Sequence, residues 1–358
     1  MSFELGKATR VSDAKHIRMV ASAFRKQGKP VVLVPLKAGV HAGHLSLIRA
    51  AKSIRGAVVI VAYSGRGHEQ AKTTAARDAG TSAAASASFT ESYSQDIALD
   101  IAMLERAGVD AVFEYTEESL WPRGLRTTIL PVESHLESPE YVGREIAWVL
   151  ALVGVVGPSH VIVGEKDYEV LVGLQRAVNE LHIPVKLQGV PTVRTPEGIP
   201  MSLRNAWVAP EEREAVAAMS AALTAGAYAA EGGAEKVLEA THAVLEAAGV
   251  EPEYVELRGL DLGPAPEQGD ARLFVAVEVR RDQKVAGGGQ AGVGQTDSGQ
   301  AGGGQVNGGQ VNSGWPSGGR SRDGYVRVTD NVGMPLGIGF KNIEAHQEAR
   351  QEARQEAN

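Results

Sequence analysis

Cysteine is absent from all 358 residues, which removes disulfides, a thiol nucleophile and thiolate metal ligands together. Such a chain suits a reducing cytoplasm, and a cytoplasmic location is the expectation. Basic blocks are lacking too. The 36 Lys and Arg against 43 Asp and Glu leave a net charge of −7, a balance that argues against nucleic acid as the main partner. It leaves room for one small basic pocket that binds phosphate. Long hydrophobic runs are also missing: the longest, residues 146–157, falls short of the roughly 20 residues a membrane span requires. Residues 1–20 mix charge with polarity and carry no signal core. A soluble protein without a membrane partner is expected.

What is present is a real core. Hydrophobic residues reach 43%, so wholesale disorder is excluded, and the length suggests two domains at roughly 100–200 residues each. In the first half, short β-branched runs at 31–34, 58–62, 111–113 and 161–163 read as buried strands. Helical patterns lie between them at 45–54 and at 95–106, where Ile97, Ile101 and Leu104 recur at helical spacing. Strands alternating with helices predict an α/β fold with a Rossmann-like, doubly wound parallel sheet. Residues 65–87 are polar and small, and read as a long loop with a weak helix at 71–78. Past residue 191 the pattern turns to two amphipathic helices, 210–226 and 234–248, and strands at 254–257, 272–279 and 325–329, a smaller C-terminal α+β domain. The expected division is a nucleotide-binding domain over 1–190 and a lid domain over 191–345. A Gly/Gln-rich flexible insert at 284–320 is read as lying within a hairpin. A frayed tail over 346–358 stacks like charges every four residues.

Three short motifs carry chemistry. The first runs Lys37-Ala38-Gly39-Val40-His41-Ala42-Gly43-His44. It joins a strand to an apolar helix expected to begin at the second histidine. A helix N-terminus offers unpaired N–H groups to phosphate, Gly43 allows close backbone approach, and His41 and His44 can face a developing charge together. The second, Gly164-Glu165-Lys166-Asp167, follows a strand directly, at the carboxyl end where open α/β sheets bind ligands. Lys166 supplies a point charge for phosphate. The third, Met201-Ser202-Leu203-Arg204-Asn205, places a hydroxyl beside a guanidinium in a loop at the domain junction. Alone, the first motif reads equally well as a surface turn, and the second and third read better as an ordinary charged turn and an exposed interdomain turn.

Their order and spacing together resemble the pantothenate synthetase (pantoate–β-alanine ligase) family of the nucleotidyltransferase superfamily, which carries a His-x-Gly-His signature. The resemblance covers most of 1–282 and 321–345 and is densest at 31–51, 104–113, 121–128, 161–167, 189–194 and 202–205. It implies an ATP-dependent acid–amine ligase: a carboxylate attacks the α-phosphate of ATP, pyrophosphate leaves, and β-alanine then displaces AMP. It also implies Mg²⁺ and a homodimer. Family ATP contacts carry over to Lys37, Ala38, Gly39, Val40, His41, Ala42, Gly43 and His44, to Gly164, Glu165, Lys166 and Asp167, and to Val193, Met201, Ser202, Leu203 and Arg204. Catalytic roles fall on His41, His44, Lys166, Ser202 and Arg204. Asp100 falls near the family's acidic, metal-proximal pair, with Leu99 in the partner position.

The departures from the family cluster where the acid binds. The family's first methionine is Lys37, one pantoate-binding glutamine has no placeable equivalent, and the other is Val170. The stretch that reads His-Phe-x-Gly-Val in the family is Glu140-Tyr141-Val142-Gly143-Arg144. Lys37 or Arg144 is expected to take the acid's carboxylate instead. Two rival readings use the same residues: a diverged paralogue that adenylates another small acid, and a catalytically inactive nucleotide-binding subunit. His68, His135, His160 and His182 show no metal spacing, Trp121 and Trp148 read as core, and Trp315 lies in the insert.

Overall fold

A computed structural model describes residues 4–37, 39–64, 97–133, 136–282 and 324–337. Ala38, the 65–87 loop, His68, His135, Trp315, the 284–320 insert and the 346–358 tail lie outside the described residues.

The chain opens with β1 (Thr9–Val11) and α1 (Ala14–Lys26), followed by β2 (Val31–Leu36), α2 (Ala42–Ser53) and β3 (Val58–Tyr63). Next come α3 (Ile97–Arg106), β4 (Ala111–Glu114), the single turn α4 (Glu117–Leu120), α5 (Pro139–Val156), β5 (His160–Gly164), α6 (Tyr168–Glu180) and β6 (Lys186–Val190). These six strands form one sheet in the order β1-β4-β3-β2-β5-β6, every neighbouring pair parallel. The β-branched runs are strands because both of their faces are covered. Val31 and Leu33 pack into one cluster with α1 and α5, while Val32 and Val34 pack into another with α2 and α3, as a parallel sheet with helices on both faces demands. Strand order reverses at β2, so the crevice between β2 and β5 is the topological switch point.

Pro35 widens that crevice. β2 pairs with β3 over six residues, from Val31–Val58 to Leu36–Tyr63. With β5 it pairs only at Val32 and Leu33, and Pro35, which has no N–H to donate, sits beyond the last β5 rung. α5 is bounded at both ends by its own residues. Ser138 caps it, Pro139 sits in the first turn, and Gly157 ends it in the left-handed region at φ 66°.

The second sheet is antiparallel: β7 (Tyr254–Gly259), β8 (Gly269–Arg280) and β9 (Tyr325–Leu336), in that order. α7 (Arg213–Tyr228) and α8 (Ala234–Ala247) cover it. Gly226 permits the approach, since a Cβ there would sit 2.3 Å from Thr241 Oγ1. The strands expected on either side of the insert are paired with each other, rung by rung from Gly269–Leu336 to Arg280–Tyr325. Among the described residues no helix is long and apolar enough to cross a membrane.

Candidate active site

A cavity of about 330 Å³ opens at the carboxyl ends of β2 and β5, within the size range of small-molecule sites. The three motifs meet there. Lys37, His41, Gly43 and His44 line it from the β2–α2 loop, and Gly164, Lys166 and Asp167 from the β5–α6 loop. Val193, Met201, Ser202, Leu203 and Arg204 line it from the segment after β6. Val170, in the first turns of α6, lines it as well.

The β2–α2 loop is built around its histidines. α2 starts at Ala42, two residues earlier than the sequence suggested, because His41 serves as its N-cap: the His41 Nδ1 accepts from the Gly43 N–H at 3.1 Å. Gly43 has to be glycine, since a Cβ there would lie 2.8 Å from the His41 ring. Gly39 adopts φ 61° and its carbonyl accepts from His44 Nδ1 at 2.9 Å. The two imidazoles stack with centroids 3.7 Å apart. Burial pushes both pKa values down, to about 2 for His41, where His44 and Lys166 add to the effect, and to about 4 for His44. Both rings are neutral at neutral pH.

Gly39, Val40, Ala42 and Glu165 do not line the cavity; they shape the loops that do. Val40 is fully buried and its N–H donates to Asp100 Oδ1 at 2.9 Å. The other Asp100 oxygen accepts from the Tyr63 hydroxyl. At 1% exposure, Asp100 fastens α3 to the β2–α2 loop and does not face the cavity.

The charged rim is an alternating cluster. Asp167 lies 3.8 Å from Lys166 Nζ and 3.7 Å from Arg204 Nη1. Burial pushes the Asp167 carboxyl up, but the two cations outweigh it and hold its pKa below the usual range. Burial lowers the Lys166 pKa against the pull of Asp167. Arg204 donates to the Tyr141 hydroxyl at 2.7 Å, and the Ser202 hydroxyl accepts from the Arg204 main-chain N–H at 3.2 Å, so the serine–arginine loop is held in place against α5. Among the described residues, no group of three or more His, Asp or Glu is placed to hold a metal ion.

Sequence reasoning missed the wall that α5 provides. Tyr141, Glu145 and Trp148 line the cavity. Glu145, with a side chain 10% exposed, pairs with Lys37, whose Nζ stands 4.8 Å over the Trp148 ring. Burial lowers the Lys37 pKa, with Glu145 opposing. The available signal was a lone carboxylate on an apolar helix stripe. Trp148 is buried as expected and donates to the Tyr115 hydroxyl at 2.7 Å. Of the two candidates for the acid's carboxylate, Lys37 is in the cavity. Arg144 points to Glu117, 3.1 Å away, and does not line it. His160 is half-buried beside Ser159, and His182 is exposed in the turn after α6.

The family described as pantoate-beta-alanine ligase matches residues 9–66 and 83–285. The chain belongs to that family. A relative from Corynebacterium jeikeium (strain K411), a pantothenate synthetase, is 35% identical over 358 residues, covering 96% of this chain and 95% of its own. The crystal structure of the pantothenate synthetase from Thermus thermophilus aligns with a TM-score of 0.60 at 28% identity, over 75% of this chain and 94% of that one. The pantoate-beta-alanine ligase from Francisella tularensis, complexed with beta-gamma ATP and beta-alanine, aligns with a TM-score of 0.55 at 24% identity, over 75% of this chain and 92% of that one. At that identity the likeness speaks for the fold alone.

Proposed function

We propose that the cavity joins pantoate to β-alanine at the expense of ATP, through an acyl-adenylate. The observation that carries the reading is the convergence of His41, His44, Lys166 and Arg204 from three separate segments on one crevice at the sheet's switch point. Membership of the ligase family supplies the reaction class. Cations and N–H donors at this place suit a triphosphate, whose transfer chemistry asks mostly for positioning and charge compensation.

In the first half-reaction a carboxylate oxygen of the acid bonds to the α-phosphorus and the bond to the bridging oxygen breaks, so pyrophosphate leaves with the electron pair. Lys166 and Arg204 compensate the charge that builds on the phosphates, and Ser202 and the histidines orient them. In the second half-reaction the uncharged amine of β-alanine attacks the acyl carbon, AMP leaves, and the nitrogen gives up its extra proton as the amide forms. The apolar lining, from Pro35 to Val170 and Leu174, keeps water from the activated acyl group.

Mg²⁺ would arrive with the nucleotide. The donor set fits that role: among the described residues Asp167 is the carboxylate beside Lys166 and Arg204 that lines the cavity, and Mg²⁺ prefers phosphate oxygens and retained waters to a protein cage. Asp100, with both oxygens already bonded, is a poor ligand in this arrangement. We further propose that residues 1–190 form the nucleotide domain and 191–345 a lid, and that the enzyme is a cytoplasmic homodimer.

ATP–pyrophosphate exchange tests the function, with Mg²⁺ and pantoate set beside a panel of small carboxylic acids. Exchange with pantoate, followed by pantothenate formation on adding β-alanine, is the expected result. Exchange only with another acid would make the protein a ligase of different specificity. No exchange, with ATP still bound, would make it an inactive nucleotide-binding subunit.

A further inference from the structure

Behind the loop that carries Lys166 stands a set of buried polar residues with no part in the mechanism above. Asn331 on β9 is 4% exposed. Its side-chain amide donates to two successive main-chain carbonyls, Glu165 at 3.2 Å and Lys166 at 2.8 Å. Its Oδ1 accepts from Arg272 Nη1 on β8. The other Arg272 terminal nitrogen donates to Glu165 Oε2 at 2.7 Å, and the guanidinium lies 3.9 Å over the Tyr168 ring. The neighbours of Asn331 reach the same region. The Thr329 carbonyl accepts from Lys166 Nζ at 3.3 Å, and Asp330 takes both terminal nitrogens of Arg194 at 2.6 and 3.0 Å.

Buried polar groups are costly unless bonded, and the face of β9 that carries Asn331 also holds buried Arg327 and Thr329, while its other face packs Val326 and Val328 into the core of the second sheet. The amide contacts also fix direction. In a trans peptide the C=O and the following N–H point opposite ways. Turning the carbonyls of Glu165 and Lys166 toward β9 therefore turns the N–H groups of Lys166 and Asp167 away from it. Lys166 and Asp167 line the main cavity and Asn331 does not.

We propose that Asn331, oriented by Arg272, is a positioning residue for adenylate formation: it sets the 165–167 loop so that Lys166 and the adjacent N–H groups meet the nucleotide phosphates. The inference rests on the reading of Lys166 as a phosphate ligand.

The test measures ATP affinity by calorimetry, ATP–pyrophosphate exchange, and amide formation at varied β-alanine, for the full chain and for Asn331→Ala, Asn331→Asp, Lys166→Met and the Asn331→Ala/Lys166→Met double variant. Asn331→Ala is expected to weaken ATP binding on the order of tenfold and to lower exchange kcat roughly ten- to a hundredfold, with the KM for β-alanine unchanged. Asn331→Asp keeps the shape but turns an acceptor on the two carbonyls, and is expected to lose at least as much. In the double variant the loss of ATP affinity is expected to be clearly smaller than the sum of the two single losses. Additive losses overturn the proposal, as does Asn331→Ala with normal ATP affinity and exchange. Should Asn331→Ala fail to fold, Arg272→Lys takes its place, keeping charge beside Glu165 while removing the fork to Asn331. It is held to the same criterion of less-than-additive loss when Lys166 is replaced. If Lys166→Met itself retains ATP affinity, the phosphate reading of Lys166 falls and this inference with it. If Lys166→Met loses affinity and Asn331→Ala does not, only the positioning role falls.

Discussion

His41 and His44 lie ring on ring, with centroids 3.7 Å apart and 29° between their planes, yet their Nδ1 atoms play opposite parts. His41 Nδ1 accepts from a main-chain N–H, whereas His44 Nδ1 faces a main-chain carbonyl and must donate. In neutral rings this puts the proton of His41 on Nε2 and leaves the Nε2 of His44 bare.

A bare ring nitrogen repels a phosphate oxygen, so His44 is expected to take up a proton when the nucleotide arrives. Calorimetric titration of ATP near pH 7, in buffers of different ionisation enthalpy, should register net proton uptake at the site, short of a full proton because burial holds the free ring's pKa at about 4. His44→Asn should abolish that uptake. Binding without proton uptake in the unaltered protein would contradict the assignment.

The same burial makes the histidines a liability in acid. Their folded pKa values, about 2 and about 4, lie below the unfolded value near 6.5. The unfolded chain therefore binds more protons as pH falls through 6.5, and stability present above that pH is lost progressively toward pH 4. The slope should approach about 1.4 kcal/mol per pH unit for each ring. Denaturant midpoints measured between pH 7.5 and 4.5 should fall steeply, and less so for His41→Gln or His44→Asn. Asp167, held below its usual range, adds loss only at lower pH.

Lys37→Met is expected to raise the KM for the acid far more than that for ATP; an equal effect on both would refute a carboxylate-binding role. It also strands Glu145, whose side chain is 10% exposed, at a cost of about 3 kcal/mol. The Lys37→Met/Glu145→Leu double variant should regain the lost thermal stability while keeping the raised acid KM. That separates the two effects in one pair of melting and kinetic measurements.

Removal of residues 285–320 should leave kinetics and melting temperature nearly unchanged. The hairpin is already closed before the insert: Arg280 pairs with Tyr325, and the Arg281 N–H donates to the Gly324 carbonyl at 2.8 Å. A large fall in either quantity would give the insert a role of its own.

The sheet and the charged rim of the cavity were legible in the sequence because local rules govern both. Strands buried on two faces read as unbroken β-branched runs, and the motifs sit on strand-to-helix turns whose glycines and histidines are sequence neighbours. The wall of α5 was harder to see, because Glu145 and Trp148 become site residues only through where the helix packs. Asn331 and Arg272 were out of reach. Nothing in their local sequence says that an antiparallel strand from the far end of the chain will bond to the carbonyls of residues 165 and 166.

That placement bears on how the protein matures. Every described residue that lines the cavity precedes Val208, whereas the strand whose Asn331 bonds to the lysine loop is made only after the ribosome has passed the Gly/Gln insert. A chain released early, anywhere within the insert, would hold these lining residues without Asn331. If Asn331 positions the lysine loop as proposed, that loop is set only once translation has passed the insert, and copies ended within it are expected to bind nucleotide weakly.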